Sequence, residues 1–254
     1  MKELFGVIQA LIVLCLIGCS SVDNSNQMIN QARTSETERA VDLDRAAKIY
    51  LELGLTYLNQ GYVERAKAKF NRALELSPNL SEAHGAMGYY YDQVGELDKA
   101  ERSYQRAIAL NPKSGKEHNN YGVFLCRQQQ FKNADKEFNL ALKDNSYVNT
   151  AEVLENAGLC ALQNEEKQVA KSYFEKSLQH DPHRPSVILE LSWLYWEQGQ
   201  ANLALKYYEQ YQKVGSPNER SIRLGIEIAK MEGDRTKESS LRLMLNATSK
   251  ESNF

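Results

Sequence analysis

The side chains best suited to acid–base, metal or covalent chemistry in this chain are its four histidines and four cysteines. His180 and His183 flank Asp181-Pro182, and a His-x-x-His pair supplies two ligands while the neighbouring sequence supplies none of the others that a closed zinc site needs. No phosphate-cradling glycine loop, no Gly-x-Ser-x-Gly elbow and no His-Glu-x-x-His is present, so neither a catalytic centre nor a cofactor is expected. Cys19 has a more specific setting. Leu4 to Ile17 is an apolar run interrupted only by Gln9, and Gly18-Cys19-Ser20-Ser21 follows it directly. A thiol placed there can carry acyl chains, each buried methylene of which adds about 0.8 kcal/mol of membrane affinity.

The apolar run is short of the roughly 20 residues that span a bilayer as a helix, and it fits the apolar region of a secretory signal peptide. Leu16-Ile17-Gly18-Cys19 resembles the lipobox of bacterial lipoproteins, in which the signal is removed before the Cys and that Cys becomes the lipidated N-terminus. The alternative is an uncleaved inner-membrane anchor. Ser20 stands where an Asp would, in the usual sorting pattern, retain the protein in the inner membrane, so the resemblance implies the outer membrane, facing the periplasm. Residues 1–18 are then the signal peptide, and residues 19–41, without a helical stripe, a flexible tether with a reach of roughly 25–30 Å.

These features need elements to position them, and composition says which. With 31 Lys+Arg against 33 Asp+Glu the net charge is −2, and no run of cations could track a phosphate backbone, so nucleic acid is not an expected partner. Apolar residues make up 42%, enough for a core, while 14 Gly and 5 Pro in 254 residues fall below the roughly 12% of average usage and favour helices over turn-rich sheets. From Asp42 to about residue 247 the chain repeats itself. Tyr50-x2-Leu53-Gly54-x2-Tyr57 is followed by Ala66, Phe70, Ala73 and Pro78, then His84-x2-Met87-Gly88-x2-Tyr91 by Ala100, Tyr104, Ala107 and Pro112. Later copies start near 115, 151 and 185, with an insertion at about Asn149-Thr150 and Ser146 in place of a Pro. This is the tetratricopeptide (TPR) pattern: an all-α solenoid, a right-handed superhelix of antiparallel helix pairs. The repeats run about 47–80, 81–114, 115–148, 151–184 and 185–218, a degenerate sixth covers 219–247, and 248–254 is a tail. Small residues at the eighth and twentieth positions let paired helices approach, aromatics at the eleventh and twenty-fourth fill the space beside them, and Pro at the thirty-second stops the second helix. His84 and His118 share the fourth position and are expected to pack between helices. Cys126 and Cys160 fall at the twelfth and tenth positions of successive repeats; those positions point differently, so two separate thiols are expected, although an oxidising periplasm permits a disulfide.

In a solenoid of this kind recognition belongs to the concave face, lined by the second, fifth, ninth, twelfth and thirteenth positions of each first helix. Those positions give Leu51, Leu55, Leu58 and Tyr89 toward the N-terminus, Asn119 and Val123 in the middle, and Leu159, Leu162, Leu189, Trp193 and Trp196 toward the C-terminus. The two apolar groups suit a partner's amphipathic helix or extended segment; the alternative is that tether residues or capping helices cover them. Lys116 and Asn119 begin a carboxylate clamp, but Val123 replaces its second Asn.

Signal, lipobox, tether and about six repeats together resemble the PilF/PilW lipoproteins of type IV pilus biogenesis over nearly the whole chain. The most similar stretches are Ile49-Tyr50-Leu51-Glu52-Leu53-Gly54-Leu55, Asn119-Asn120-Tyr121-Gly122, Tyr173-Phe174-Glu175-Lys176-Ser177-Leu178, and Leu224-Gly225-Ile226-Glu227-Ile228-Ala229-Lys230. The last lies outside the TPR consensus. Members are pilotins, so the resemblance implies a non-enzymatic protein that binds the pilus secretin, promotes its localisation and multimerisation, and takes no small-molecule substrate. A scaffold for another envelope complex, for outer-membrane assembly or cell-wall synthesis, is the second reading.

Overall fold

A computed structural model describes residues 38–251, so the signal peptide, Cys19, the tether up to residue 37 and the last residues of the tail lie outside the described residues. Among the described residues there are twelve α-helices and no strand. They are α1 (38–59), α2 (Val63–Leu76), α3 (Ser81–Gln93), α4 (Leu97–Leu110), α5 (Gly115–Arg127) and α6 (Phe131–Ala141). Then follow α7 (Thr150–Gln163), α8 (Lys167–His180), α9 (Pro185–Glu197), α10 (Ala201–Val214), α11 (Glu219–Glu232) and α12 (Arg235–Glu251). No described helix is long and apolar enough to cross a membrane. The chain divides into two compact units between Tyr90 and Tyr91.

The N-terminal unit holds α1, α2 and most of α3. α1 begins by residue 38, earlier than Asp42: the Ala-rich run through Ala46 and Ala47 favours helix, and Arg45 bonds Asp42 at 3.2 Å one turn away. Gly54 lets α1 meet α2, because a Cβ there would clash with the Phe70 ring. In the C-terminal unit the same device recurs, with a Cβ on Gly122 placed 2.8 Å from Phe138 and one on Gly158 placed 2.5 Å from Phe174. The core consists of the small and aromatic consensus residues, among them Ala66, Phe70, Ala134, Phe138, Ala170 and Phe174, all buried.

One backbone feature fixes the register of all six repeats. The fifteenth position is left-handed every time: Gly61, Gly95, Gln129, Glu165, Gly199 and Gly233, with φ between 59° and 79°. At each, the next residue's N–H reaches back to the first helix, as in Tyr62 to Tyr57, Gln130 to Leu125, Glu166 to Ala161 and Asp234 to Ala229, at 2.8–2.9 Å. This is the double-bonded helix stop that a left-handed residue makes possible. Its presence at Gly233 gives 219–247 the backbone of a repeat, although the packing departs from the consensus: its glycine, Gly225, stands at the seventh position and lies against Tyr208 of α10 and Leu241 of α12.

The second helices end with a backbone bond from Ser77, Asn111 and Asp181 to Ala73, Ala107 and Ser177, just ahead of Pro78, Pro112 and Pro182. α6 departs from this. It stops at Ala141, and residues 142–149 absorb the insertion as a loop in which Asp144 replaces the proline's role. The Asp144 carboxylate accepts from the Ser146 hydroxyl at 2.6 Å and from the backbone N–H groups of Gly115 at 2.8 Å and Ser146 at 3.0 Å. These bonds, that of the Ser146 hydroxyl foremost, hold its carboxyl below the usual range.

His84 and His118 make the same contact in successive repeats, Nε2 donating to the carbonyl of Pro78 at 2.9 Å and of Pro112 at 3.0 Å. His118 is buried and also bonds Glu137 through Nδ1 at 2.6 Å. His180 and His183 are exposed, and among the described residues no cluster of His, Cys, Asp or Glu could hold a metal.

Candidate partner-binding face

Leu51, Leu55 and Leu58 recur at helical spacing on one side of α1. Leu51 and Leu58 are buried, while Leu55 and Tyr89 of α3 keep part of their surface. Lys48 and Glu82, the second residues of their repeats, form an ion pair at 3.7 Å across α1 and α3. The N-terminal unit therefore offers Leu55 and Tyr89 as accessible apolar surface, with Leu51 and Leu58 as the buried floor that positions them.

In the C-terminal unit Leu159 is the most open of the expected residues, Val123, Leu162, Trp193 and Trp196 are half-buried, and Leu189 and Asn119 are buried. Trp193 and Trp196 meet edge to face with centroids 5.3 Å apart, and the Arg220 guanidinium lies 5.6 Å from the Trp193 ring centre. Leu162 and Trp196 pack on the cluster formed by α7, α8, α9 and α10, so one side of each is core and the other is surface. Asn119 is spent within the fold: its Oδ1 accepts from Asn156 Nδ2 at 3.1 Å.

Around these residues runs a set of polar and covalent links between successive first helices. Arg127 pairs with Asp92, whose carboxyl is raised by burial against the opposing pull of that guanidinium. Arg184 donates through Nε to Glu155 at 2.8 Å, and the Ser186 hydroxyl bonds the other oxygen of the same carboxylate. Arg220 bonds Glu190 at 2.6 Å; burial raises the Glu190 carboxyl and Arg220 opposes the rise. Cys126 and Cys160 form a disulfide with Cα atoms 5.7 Å apart, which overturns the expectation of two separate thiols. Parallel first helices meet along opposite edges, so the forward edge of α5, carrying the twelfth position, faces the backward edge of α7, carrying the tenth. Asn119–Asn156 and Asp92–Arg127 obey the same edge-to-edge rule.

Of the linking residues, Asp92, Arg127 and Glu155 fall on the inner positions read from the sequence, but their pairing was not foreseen, and Arg184, Glu190 and Arg220 were not singled out. Opposite charges near the inner positions of successive repeats are the signal they carry, and it is visible only once the edges are known. The arrangement presents apolar and aromatic surface held in fixed charge pairs, a kind of surface that suits recognition of another chain.

Comparison with known proteins agrees with this geometry. Residues 47–80, 81–114, 151–184 and 185–214 match the tetratricopeptide repeat family. Type IV pilus assembly protein PilF of Pseudomonas aeruginosa is 34% identical over 235 residues, which cover 92% of this chain and 90% of that protein. The solved structure of Pseudomonas aeruginosa PilF superposes with a TM-score of 0.76 at 35% identity, covering 82% of this chain and 93% of the other. That of PilW, a widely conserved type IV pilus biogenesis factor, gives 0.70 at 28% identity, covering 79% and 92%.

Proposed function

The chain belongs to the PilF/PilW family of type IV pilus biogenesis proteins, and from that membership we propose that it acts as a pilotin, binding the pilus secretin and promoting its localisation and multimerisation. The observation that carries this reading is the match to PilF, which extends over nine-tenths of both chains and so includes the family-specific Leu224–Lys230 stretch as well as the repeats. The Cys19 thiol carries the lipid that anchors the chain to the outer membrane on its periplasmic side. A disulfide between Cys126 and Cys160 supports export, because such bonds persist in oxidising compartments. The accessible residues Leu55 and Tyr89, and Leu159, Leu162, Trp193 and Trp196, take secretin segments, while Leu51, Leu58, Leu189, Asn119 and Val123 shape the surface beneath and between them. Tethering at the membrane raises the effective concentration of a partner held there, so neither surface needs high intrinsic affinity.

The test is calorimetric titration of purified secretin into the purified chain, unaltered and with Leu55→Asp or Leu159→Asp. Both side chains are partly exposed, so the thermal midpoint should stay close to that of the parent. Affinity should drop at least about tenfold for each, since one buried leucine contributes about 1.5–3 kcal/mol. Unchanged affinity in both would remove the inner face from the reading.

A further inference from the structure

The second helices of the C-terminal unit carry a charge pattern that repeats with the fold. Their twenty-second, twenty-sixth and twenty-ninth positions fall at i, i+4 and i+7, a single stripe along each helix. In the second to fifth repeats those positions hold Arg102, Arg106, Lys136, Lys143, Lys176, Lys206 and Lys213 among neutral residues, and no carboxylate. All seven cations are exposed, Lys143 standing just past the end of α6. The acidic side chains of the same helices point elsewhere. Glu101 accepts from the Tyr121 hydroxyl at 3.1 Å, Asp135 from that of Tyr173 at 2.6 Å and Glu175 from that of Tyr195 at 2.6 Å, each across to the following repeat. Glu137 holds His118 at 2.6 Å. These anions are spent on packing, whereas Lys136, Lys176, Lys206 and Lys213 pair with no carboxylate among the described residues. On the first helices Arg127, Arg220, Arg223 and Lys230 each hold one. The stripe ends with these four repeats: Arg72 of the first is paired with Glu75 at 2.8 Å, and Ser240, Met244 and Ala247 of the sixth carry no charge.

We propose that this stripe rests on the anionic phospholipid headgroups of the membrane to which Cys19 is anchored. The C-terminal unit then lies with its second helices against the bilayer and its first helices, with Leu159, Trp193 and Trp196, turned to the periplasm. The inference rests on the lipid-anchor part of the reading above and not on which partner the first helices take. A plane of headgroups can meet cations on four successive second helices at once, and each Lys or Arg within a Debye length of such a surface adds to the attraction. Tyr173 and Tyr207, half-buried at the twenty-third position, lie beneath Lys176 and Lys206, whose ammonium groups are 5.9 Å and 5.7 Å from the ring centres. A ring with an apolar body and a polar tip, beside a lysine with a long apolar stem, suits the depth of the headgroups. Only residues 20–37 separate Cys19 from α1, so the headgroups are held at high effective concentration and the stripe needs little affinity of its own.

The experiment reconstitutes the full-length lipoprotein in vesicles of phosphatidylethanolamine with phosphatidylglycerol, or of phosphatidylcholine alone, each containing a lipid with a nitroxide on its headgroup. A fluorophore on Gln179→Cys, at the twenty-ninth position of the fourth repeat, reports the stripe, and one on Met231→Cys, an exposed inner position of α11, reports the opposite side. In the anionic vesicles the nitroxide should quench the label at Gln179→Cys and spare that at Met231→Cys. The quenching should be lost in phosphatidylcholine, and at about 1 M salt, where the Debye length falls to about 3 Å. Lys136→Glu with Lys206→Glu, on helices that do not carry the label, should abolish it at an unchanged thermal midpoint. Equal signals from the two labels in anionic vesicles, or quenching that survives the double reversal or the change of lipid, would overturn the proposal and leave the anchor standing. A mass that shows no acyl groups on Cys19 would overturn both. If the double reversal leaves quenching as it was and weakens binding of purified secretin, the stripe docks a protein and the proposal is wrong.

Discussion

Both ring nitrogens of His118 face acceptors, the Glu137 carboxylate and the Pro112 carbonyl, so the ring satisfies both only when doubly protonated. The bond to Glu137 raises its pKa above the ordinary 6.5, against the opposing effect of burial. A raised folded-state value means that the contribution to stability is complete below the unfolded pKa and is lost as pH climbs through the folded one. The stability deficit of His118→Gln relative to the parent, measured by urea titration, should therefore be largest near about pH 6 and shrink by about pH 9. Gln129 and Glu165 make a second residue-scale case. They occupy the left-handed fifteenth position that glycine fills in the other four repeats. A side chain there costs roughly 1–2 kcal/mol, part of which the added freedom of glycine in the unfolded chain takes back. Gln129→Gly and Glu165→Gly should each stabilise the chain by about 0.5–1 kcal/mol in the same titration. The fifteenth position was not among those read from the sequence: four glycines mark it, but Gln129 and Glu165 do not, because the constraint belongs to the backbone and leaves no residue-type mark when tertiary packing overrides it.

The disulfide shows what element-scale reading needs beyond periodicity. The third and fourth repeats were read from their glycines and aromatics, yet the residue number within a repeat does not say which edge of a first helix it occupies. The pairing became visible only with α5 and α7 side by side. The bond closes a loop with a sequence separation of 34, for which chain entropy gives about 3–4 kcal/mol of stabilisation. Reduction of the parent and the substitution Cys126→Ser should each lower stability in that range, and reductant should have no further effect on the variant. Equal stability with and without reductant would show that the closure contributes nothing. The disulfide and the loop at 142–149 occupy the same seam, so the covalent link holds together the two repeats whose connection departs most from the consensus.

At the scale of the molecule, the repeat architecture was almost wholly legible, because a tetratricopeptide unit writes its packing into fixed positions: Gly54 and Phe70 in one repeat, Gly122 and Phe138 in another, Gly158 and Phe174 in a third. The proposed recognition surface came from the sequence as a set of positions, and burial divides that set. Leu51, Leu58, Leu189 and Asn119 are committed to the fold, while Leu55, Tyr89, Leu159, Leu162, Trp193 and Trp196 retain surface. Sequence spacing places a residue on a face; it does not say how far the neighbouring helix covers it. The account's central claim is that a lipid on Cys19 and a protein-binding surface on the repeats act together, delivering the secretin to the outer membrane. Its most direct test is the quantity of heat- and detergent-resistant secretin multimer in purified outer membranes from cells that make the parent chain, Cys19→Ala, or neither. The account predicts abundant multimer with the parent, and loss from the outer membrane in the other two, with Cys19→Ala still folded but not delivered to the outer membrane. Multimer at the parent's level in the outer membrane of cells lacking the chain would contradict it.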